Sequence, residues 1–435
     1  MSSHLREVFG VRVEPVLSYV ERPDVDDRFV AGLATDKQIV VYGASKQGKT
    51  ALVTKHLPYE KCIVVRVGPK TEIVDIYKSI LRQVGVKILS TTERSNQTEA
   101  GVSIGAKVKA FIPLFGGGEA EAKGEFSSGS STAGTYEEIS LNLGVPQDVS
   151  ELLTRIGKHK TIVIENFHYL DDARQSQFSF DLRTFQELGI RFVVLGVWRE
   201  KNRLAQFNGD LLDRVIEIPV EPWAESDFVR VADAGAQRLN IEFAPYIITG
   251  AINTSFGSIG VFQELLLQTC LHAGIHGAQP ICVRLENQIY LDKAIRQKAD
   301  DYSSRHQRVL EAIAAGNIGV GGNKDSTQSL CLPYYLVKIL LSGGFDGLKN
   351  GMLRATIHEQ IQAIHHRPEN VRPSDMSNLL HNLAGTQSNK GISPPIFDYD
   401  RTNRQLQVVD STFYFFLKNA DLDRISQDIP NPMGI

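Results

Sequence analysis

Between Gly43 and Thr50 the chain reads GASKQGKT, two glycines separated by four residues and followed at once by a lysine and a threonine. Residues of these types at this spacing suit the binding of a polyphosphate. Gly43 and Gly48 let the backbone curl close to a ligand, so that the amides across Ala44, Ser45, Lys46, Gln47 and on to Ala51, with the positive end of a following helix, face anionic oxygens. Lys49 is then placed to reach the β- and γ-phosphates, and Thr50 to offer its hydroxyl to Mg²⁺. The competing reading is a surface turn that happens to hold two glycines and a lysine. Against it stands the context, an apolar run IVVY before the turn and a helical opening TALV after it, the strand, turn and helix that this phosphate-binding loop requires.

A second group with chemical potential is TIVIENFHYL, Thr161 to Leu170. A short apolar strand ending in an acid brings a carboxylate to the sheet edge beside the phosphate loop, where Glu165 would hold Mg²⁺ with Thr50. The next position, where a hydrolase would carry the acid that activates water, is Asn166. An amide can orient water but cannot take its proton, so this pattern predicts slow hydrolysis unless His168 or Asp171 serves. For His168 a hydrogen-bonded side chain packing the strand end is an equal reading. Two arginines complete the set. Arg199 leaves a third strand, IRFVVLGV, on the same edge, as a γ-phosphate sensor or as a solvated loop residue. Arg214, just before the strand VIEIPV, either reaches the nucleotide of a neighbouring subunit or pairs with Asp210 or Asp213.

These residues need a sheet to position them. KCIVVRVG (61–68) reads as a buried strand and EIVDIYKSILRQVGV (72–86) as a helix. A βαβα start implies a parallel sheet covered on both faces, an α/β fold. Residues 90 to about 145 interrupt it with STTERSNQTEAG, FGGGEAEAKG and FSSGSSTAGT, too rich in Gly, Ser, Thr and Glu to supply a core. VSIGAKVKAFIPLF inside this stretch alternates loosely, so either a flexible surface insertion or a projecting hairpin that contacts a partner fits.

From Glu225 to about Ala299 amphipathic helices separated by glycine-bearing turns form what reads as a lid. Beyond residue 301 more helices lead to PSDMSNLLHNLAG, with Pro and acid in its first turn. Two strands follow, PIFDYD and QLQVVD, joined by the polar turn Arg401 to Arg404. Helices with a two-stranded wing make a winged helix. Its basic and acidic residues balance, which favours packing or regulation over DNA.

The net charge of −3 and the 42% hydrophobic and 22% charged shares are those of an ordinary soluble protein. A chain of 435 residues is long enough for two or three domains. No apolar run approaches membrane-spanning length, and MSSHLREVFGVRVEP has no secretory core, so the expected residence is cytoplasmic without membrane attachment. Cys62, Cys270, Cys282 and Cys331 lie far apart with no C-x-x-C pair and read as thiols.

The order of parts resembles the STAND and origin-initiator branch of the AAA+ ATPases. VER at Val20 to Arg22 is similar to that group's adenine-side hhGR element, with Glu21 in place of glycine. ENFHYL is similar to the DDFHYL of bacterial STAND-like ATPases. SFGSIGVFQELL resembles the lid helix of transposition-type AAA+ proteins, and where an initiator carries its sensor-2 arginine this chain has Gly260. The resemblance implies an ATP- or ADP- and Mg²⁺-dependent switch, homo-oligomeric, with Val20 and Arg22 beside adenine. It further implies a separately encoded effector and a role in bacterial defence, such as anti-phage defence, or in signalling, or, on the initiator or transposition-regulator side, DNA binding through the winged helix that recruits a partner enzyme. The expected layout is a leading segment (1–38), the ATPase core (39–220, insertion about 90–145), the lid (221–300) and the winged helix (301–425).

Overall fold

The run QIVVY, β1 (Gln38–Tyr42), is buried at every residue, as a strand covered on both faces must be. In the computed structural model, which describes residues 3–12, 14–89, 107–113, 136–157, 161–316 and 330–432, it runs through a parallel sheet. The first eight strands in chain order are β1, β2 (Ile63–Arg66), β3 (Lys87–Leu89), β4 (Lys107–Pro113), β5 (Tyr136–Asn142), β6 (Ile162–Glu165), β7 (Phe192–Gly196) and β8 (Val215–Pro219). The main sheet has the order β2-β6-β7-β1-β8, all parallel. The fold is therefore α/β, with a parallel sheet core as the βαβα reading requires.

Alternation along β1 divides the packing. Val40 and Tyr42 join one core with Ile164, Val194 and the aromatic group Phe167, Phe178, Phe185 and Phe192. Ile39 and Val41 join the other with Val163, Val193, Phe29 and Ile218. Phe29 belongs to the helix Pro23–Leu33, which has Pro at its start and Asp24 and Asp26 in its first turn. The first residues take another course: Leu5, Val8 and Phe9 pack among the middle helices.

The stretch 90–145 departs from its sequence reading. β4 pairs with both β3 and β5 in a three-stranded antiparallel sheet. Val108, Ala110, Ile112, Leu141 and Leu143 are buried in the main core, so these strands lie on the body of the protein and do not project from it. Low overall hydropathy concealed this, because the residues that reach the core, Val108, Ala110 and Ile112 on β4 and Leu141 on β5, are few and occupy alternate positions. The polar tracts 90–106 and 114–135, like the Gly-rich run near 320, lie outside the described residues.

After β8 come helices Glu225–Leu239, Pro245–Ser255, Ile259–His272 and Ile289–Ala314, with the short parallel pair β9 (Ile241–Phe243) and β10 (Val283–Leu285). The C-terminal segment has its own core around Leu336, Leu340, Ile357, Met376, Phe397 and Phe413. It contains β11 (Met352–Leu353), β12 (Phe397–Asp400) and β13 (Gln405–Val408), antiparallel in the order β11-β13-β12. The helix expected over Pro373 to Gly385 stops at His381, and a second runs Leu383–Asn389. Among the described residues no helix is long and apolar enough to cross a membrane.

Candidate functional site

Parallel strands end together, so one edge of the sheet collects whatever follows β1, β6, β7 and β8. The register sets Tyr42 beside Gly196 and Pro219, and Arg66 beside Glu165. The loop Gly43–Gly48, Glu165, Arg199 and Glu221 therefore share this edge. Arg214, which precedes β8, is at the opposite one. It pairs with Glu187 at 3.5 Å, while Asp210 is taken by Arg183, so neither carboxylate expected beside Arg214 is its ion-pair partner.

The loop has the backbone its glycines permit. Gly48 sits at φ 84° and Lys46 at 60°, both left-handed, and the helix Lys49–His56 starts directly after Gly48. Lys49 Nζ donates to the carbonyls of Gly43 (2.9 Å) and Ala44 (2.6 Å). Burial pushes its pKa down to about 8, opposed by Glu221.

A cleft of about 280 Å³ opens beside the loop. Lys46 to Leu52 form one wall, Gly10, Val11, Val16, Tyr19, Val20 and Arg22 lie on another, and Trp223, Val231, Ile259, Gly260 and Gln263 on a third. Val20 and Arg22 thus stand with the loop. The Arg22 guanidinium lies 3.6 Å from the centre of the Trp223 ring, and burial lowers its pKa. Gln47 Oε1 and Trp223 Nε1 are buried without a hydrogen-bond partner. A buried lysine bonded only to carbonyls of its own loop, orphaned polar atoms and a largely apolar cleft are a fitting set for a nucleotide. Thr50 and Glu165 have the oxygen chemistry of Mg²⁺ ligands.

Glu165 is occupied here. It accepts from the Tyr59 hydroxyl at 2.7 Å and pairs with Arg66 at 2.9 Å. Asn166 is exposed and left-handed, φ 62°. His168 has both ring nitrogens buried and unpartnered, and burial, with Lys49 and Arg203 nearby, lowers its pKa to about 3. Asp171 caps the helix Asp172–Glu187 through Arg174 N–H and pairs with the Arg174 side chain, which leaves it as a cap and not a base.

The outer side of the loop is covered. Ser45 N–H donates to Val409 O (2.7 Å), Ser45 Oγ to Asp410 (3.3 Å), and Ser411 Oγ to Ser45 O (3.3 Å). Asp410 is fully buried, bound by Arg305 and Thr412. From the middle helices, Gly260 N–H donates to Lys46 O at 2.9 Å. A Cβ on Gly260 would lie 2.6 Å from Lys46 Cβ and 2.8 Å from Lys46 O, so a bare backbone is what allows this approach. Arg203 pairs with Asp398 at 2.7 Å, Arg401 with Asp172, and Arg401 N–H donates to Glu200. The C-terminal segment is thereby held against the sheet.

Sequence reasoning missed Glu221, Trp223, Tyr59 and Arg66. Only VEPW offered a signal for the first two, an acid and an aromatic just past a strand that ends at the loop's edge.

These features define the class: an α/β protein whose parallel sheet carries a glycine-bearing strand-to-helix loop beside a cleft of about 280 Å³. No family model and no curated protein matches the chain. Among solved structures, a Walker-type ATPase of Pyrococcus abyssi is similar at 11% identity and TM-score 0.48, over 94% of this chain and 99% of that one. The ORC1 protein of Aeropyrum pernix in complex with DNA aligns at 13% identity and TM-score 0.42, over 94% of each chain. The ORC2 protein of Aeropyrum pernix, in ADPNP and ADP complexes, aligns at 12% and 0.44, over 94% and 91%. At such identities and TM-scores, function has to be read from this chain's own residues.

Proposed function

We propose that the protein is an ATP- and Mg²⁺-binding AAA+ switch of the STAND kind, with residues 221–300 as its lid and residues 301–425 as its winged helix. The observation that carries this reading is that one loop is held from two sides, Lys46 by the lid at Gly260 and Ser45 by the C-terminal segment at Val409. A ligand that orders this loop differently changes the free energy of both contacts, which is what a population switch requires. The output is self-assembly or control of a separately encoded effector, and the likeness of ENFHYL to STAND-like ATPases suggests anti-phage defence. The test is solution mass by light scattering with Mg²⁺ and either ADP or ATP, alongside calorimetric binding. Nucleotide binding accompanied by a shift in mass or in protease sensitivity of the C-terminal segment is expected. Binding with neither change would refute the switch.

Hydrolysis should be slow. Asn166 offers no proton acceptor, burial with Lys49 and Arg203 nearby makes His168 a weak base, and the Asp171 carboxylate is engaged as a helix cap. Positioned acid or base chemistry is worth roughly 10²–10⁴-fold, so turnover well below roughly 1 s⁻¹ is expected. Asn166→Glu should raise turnover or leave it unchanged, and Glu165→Gln should weaken Mg²⁺-dependent binding. Fast wild-type hydrolysis lost only in Glu165→Gln would reverse the two assignments.

Loading on DNA through the winged helix is the second reading. The turn Arg401 to Arg404 would supply its wing, yet Arg401 is paired with Asp172 here. A salt-sensitive gel shift that requires ATP would favour it.

A further inference from the structure

Arg199 has a partner that the sequence did not reveal. Its Nε and a terminal nitrogen donate to the two oxygens of Glu221 at 2.9 and 3.0 Å. The same carboxylate accepts the Ala44 N–H of the phosphate loop at 2.8 Å and the Gln47 side-chain amide at 3.2 Å. An arginine fork, a loop amide and a loop side chain thus converge on one anion, the kind of donor set by which proteins hold phosphate oxygens. The Tyr414 hydroxyl, which belongs to the C-terminal helix Ser411–Asn419 and donates to Leu348 O, lies near enough to Arg199 to act on its charge. Glu221 and Tyr414 together keep the guanidinium charged against a burial that disfavours it.

We propose that Glu221 is a positioning residue that sets discrimination between nucleoside triphosphate and diphosphate, by competing with a terminal phosphate for Arg199. This rests on the nucleotide-binding reading above. Arg199 can serve a third phosphate only by giving up a bidentate carboxylate pair. A diphosphate makes no such demand and leaves the pair intact. The competition makes triphosphate binding weaker relative to diphosphate than the open loop would allow. It also ties that choice to the C-terminal segment, because an Arg199 drawn from Glu221 leaves Tyr414 as well. The plain alternative is a structural ion pair fastening the end of β8 to the turn after β7, which would affect both nucleotides equally.

The experiment is calorimetric titration of the full chain, with Mg²⁺, by ADP and by a non-hydrolysable ATP analogue. It compares wild type, Glu221→Gln, Tyr414→Phe and the double variant Glu221→Gln/Arg199→Ala. Glutamine keeps the size of Glu221 and an oxygen for the Ala44 N–H while removing the charge that holds Arg199. Loss of one charge-assisted pair corresponds to roughly a tenfold change. The ratio of analogue to ADP affinity should therefore rise about tenfold in Glu221→Gln, rise by a smaller factor in Tyr414→Phe, and return to or below the wild-type ratio when Arg199 is also removed. An unchanged or lowered ratio in Glu221→Gln overturns the proposal. Should that variant misfold, an unchanged ratio in Tyr414→Phe overturns it. Failure of wild type to bind either nucleotide instead refutes the nucleotide reading itself.

Discussion

Replacing Lys49 by alanine is expected to abolish measurable nucleotide binding while leaving the protein at least as stable. Lys49, the first residue of the helix Lys49–His56, has no carboxylate bonded to it, its ammonium held by the carbonyls of Gly43 and Ala44. Burial depresses its pKa to about 8 from an ordinary 10.5, so at pH 7 the folded chain carries the cost of a desolvated charge. That cost is fully present below about pH 8 and fades as pH rises from there toward 10.5. An arriving polyphosphate supplies the anion that the fold withholds, and charge-assisted bonds of this kind are worth about 1.5–3 kcal/mol each. A loss of about two orders of magnitude in affinity, or more, follows. Calorimetry with ATP and ADP reads the affinity, and a thermal melt at pH 7 reads the fold. Binding within a few-fold of wild type would place the nucleotide elsewhere. A sharply lowered melting temperature would show that the lysine is structural.

Asp398→Asn should loosen the C-terminal segment more than any surface change. The Arg203 and Asp398 side chains are 12% and 10% exposed, and they join the short helix Arg203–Phe207 to β12. Arg203 also donates to Gln175 Oε1 at 3.2 Å and lies over the Trp198 ring. Removing one member leaves the other buried and unpaired, at a cost of about 3–5 kcal/mol, whereas replacing both by apolar residues is often nearly neutral. Asp398→Asn should therefore lower the melting temperature and expose the C-terminal segment to protease, while Arg203→Met/Asp398→Leu should recover most of the loss. A double variant as damaged as the sum of its single changes would show that the two side chains act independently. Tyr169 contacts Ser393 across the same face, and Gln206 contacts Thr402. These neighbours are near enough to couple, so the cycle measures the pair within its network.

By itself the sequence determined the parts whose signals are local. GASKQGKT between an apolar run and a helical opening specifies a tight turn from strand to helix, because the glycines act through the backbone a few residues away. The fully buried IVVY, the acid closing IVIE, and the strands PIFDYD and QLQVVD across a four-residue polar turn were legible for the same reason, since period and turn chemistry extend over few positions. Only the tertiary structure decided which charges meet. Glu221 lies 177 residues from Ala44, which donates to it, and Asp398 lies 195 from Arg203. Ion pairing carries no spacing rule, so nothing in the order of residues marks Glu187, and not Asp210, as the partner of Arg214. The short strands β3, β4 and β5 were hidden likewise: their apolar residues are too few to signal a core until the pleat sets them on one face. The cover over Ser45 by Val409 and Ser411 rests on how the C-terminal core docks against the sheet, and docking is a property of two folded surfaces that neither stretch of chain encodes alone.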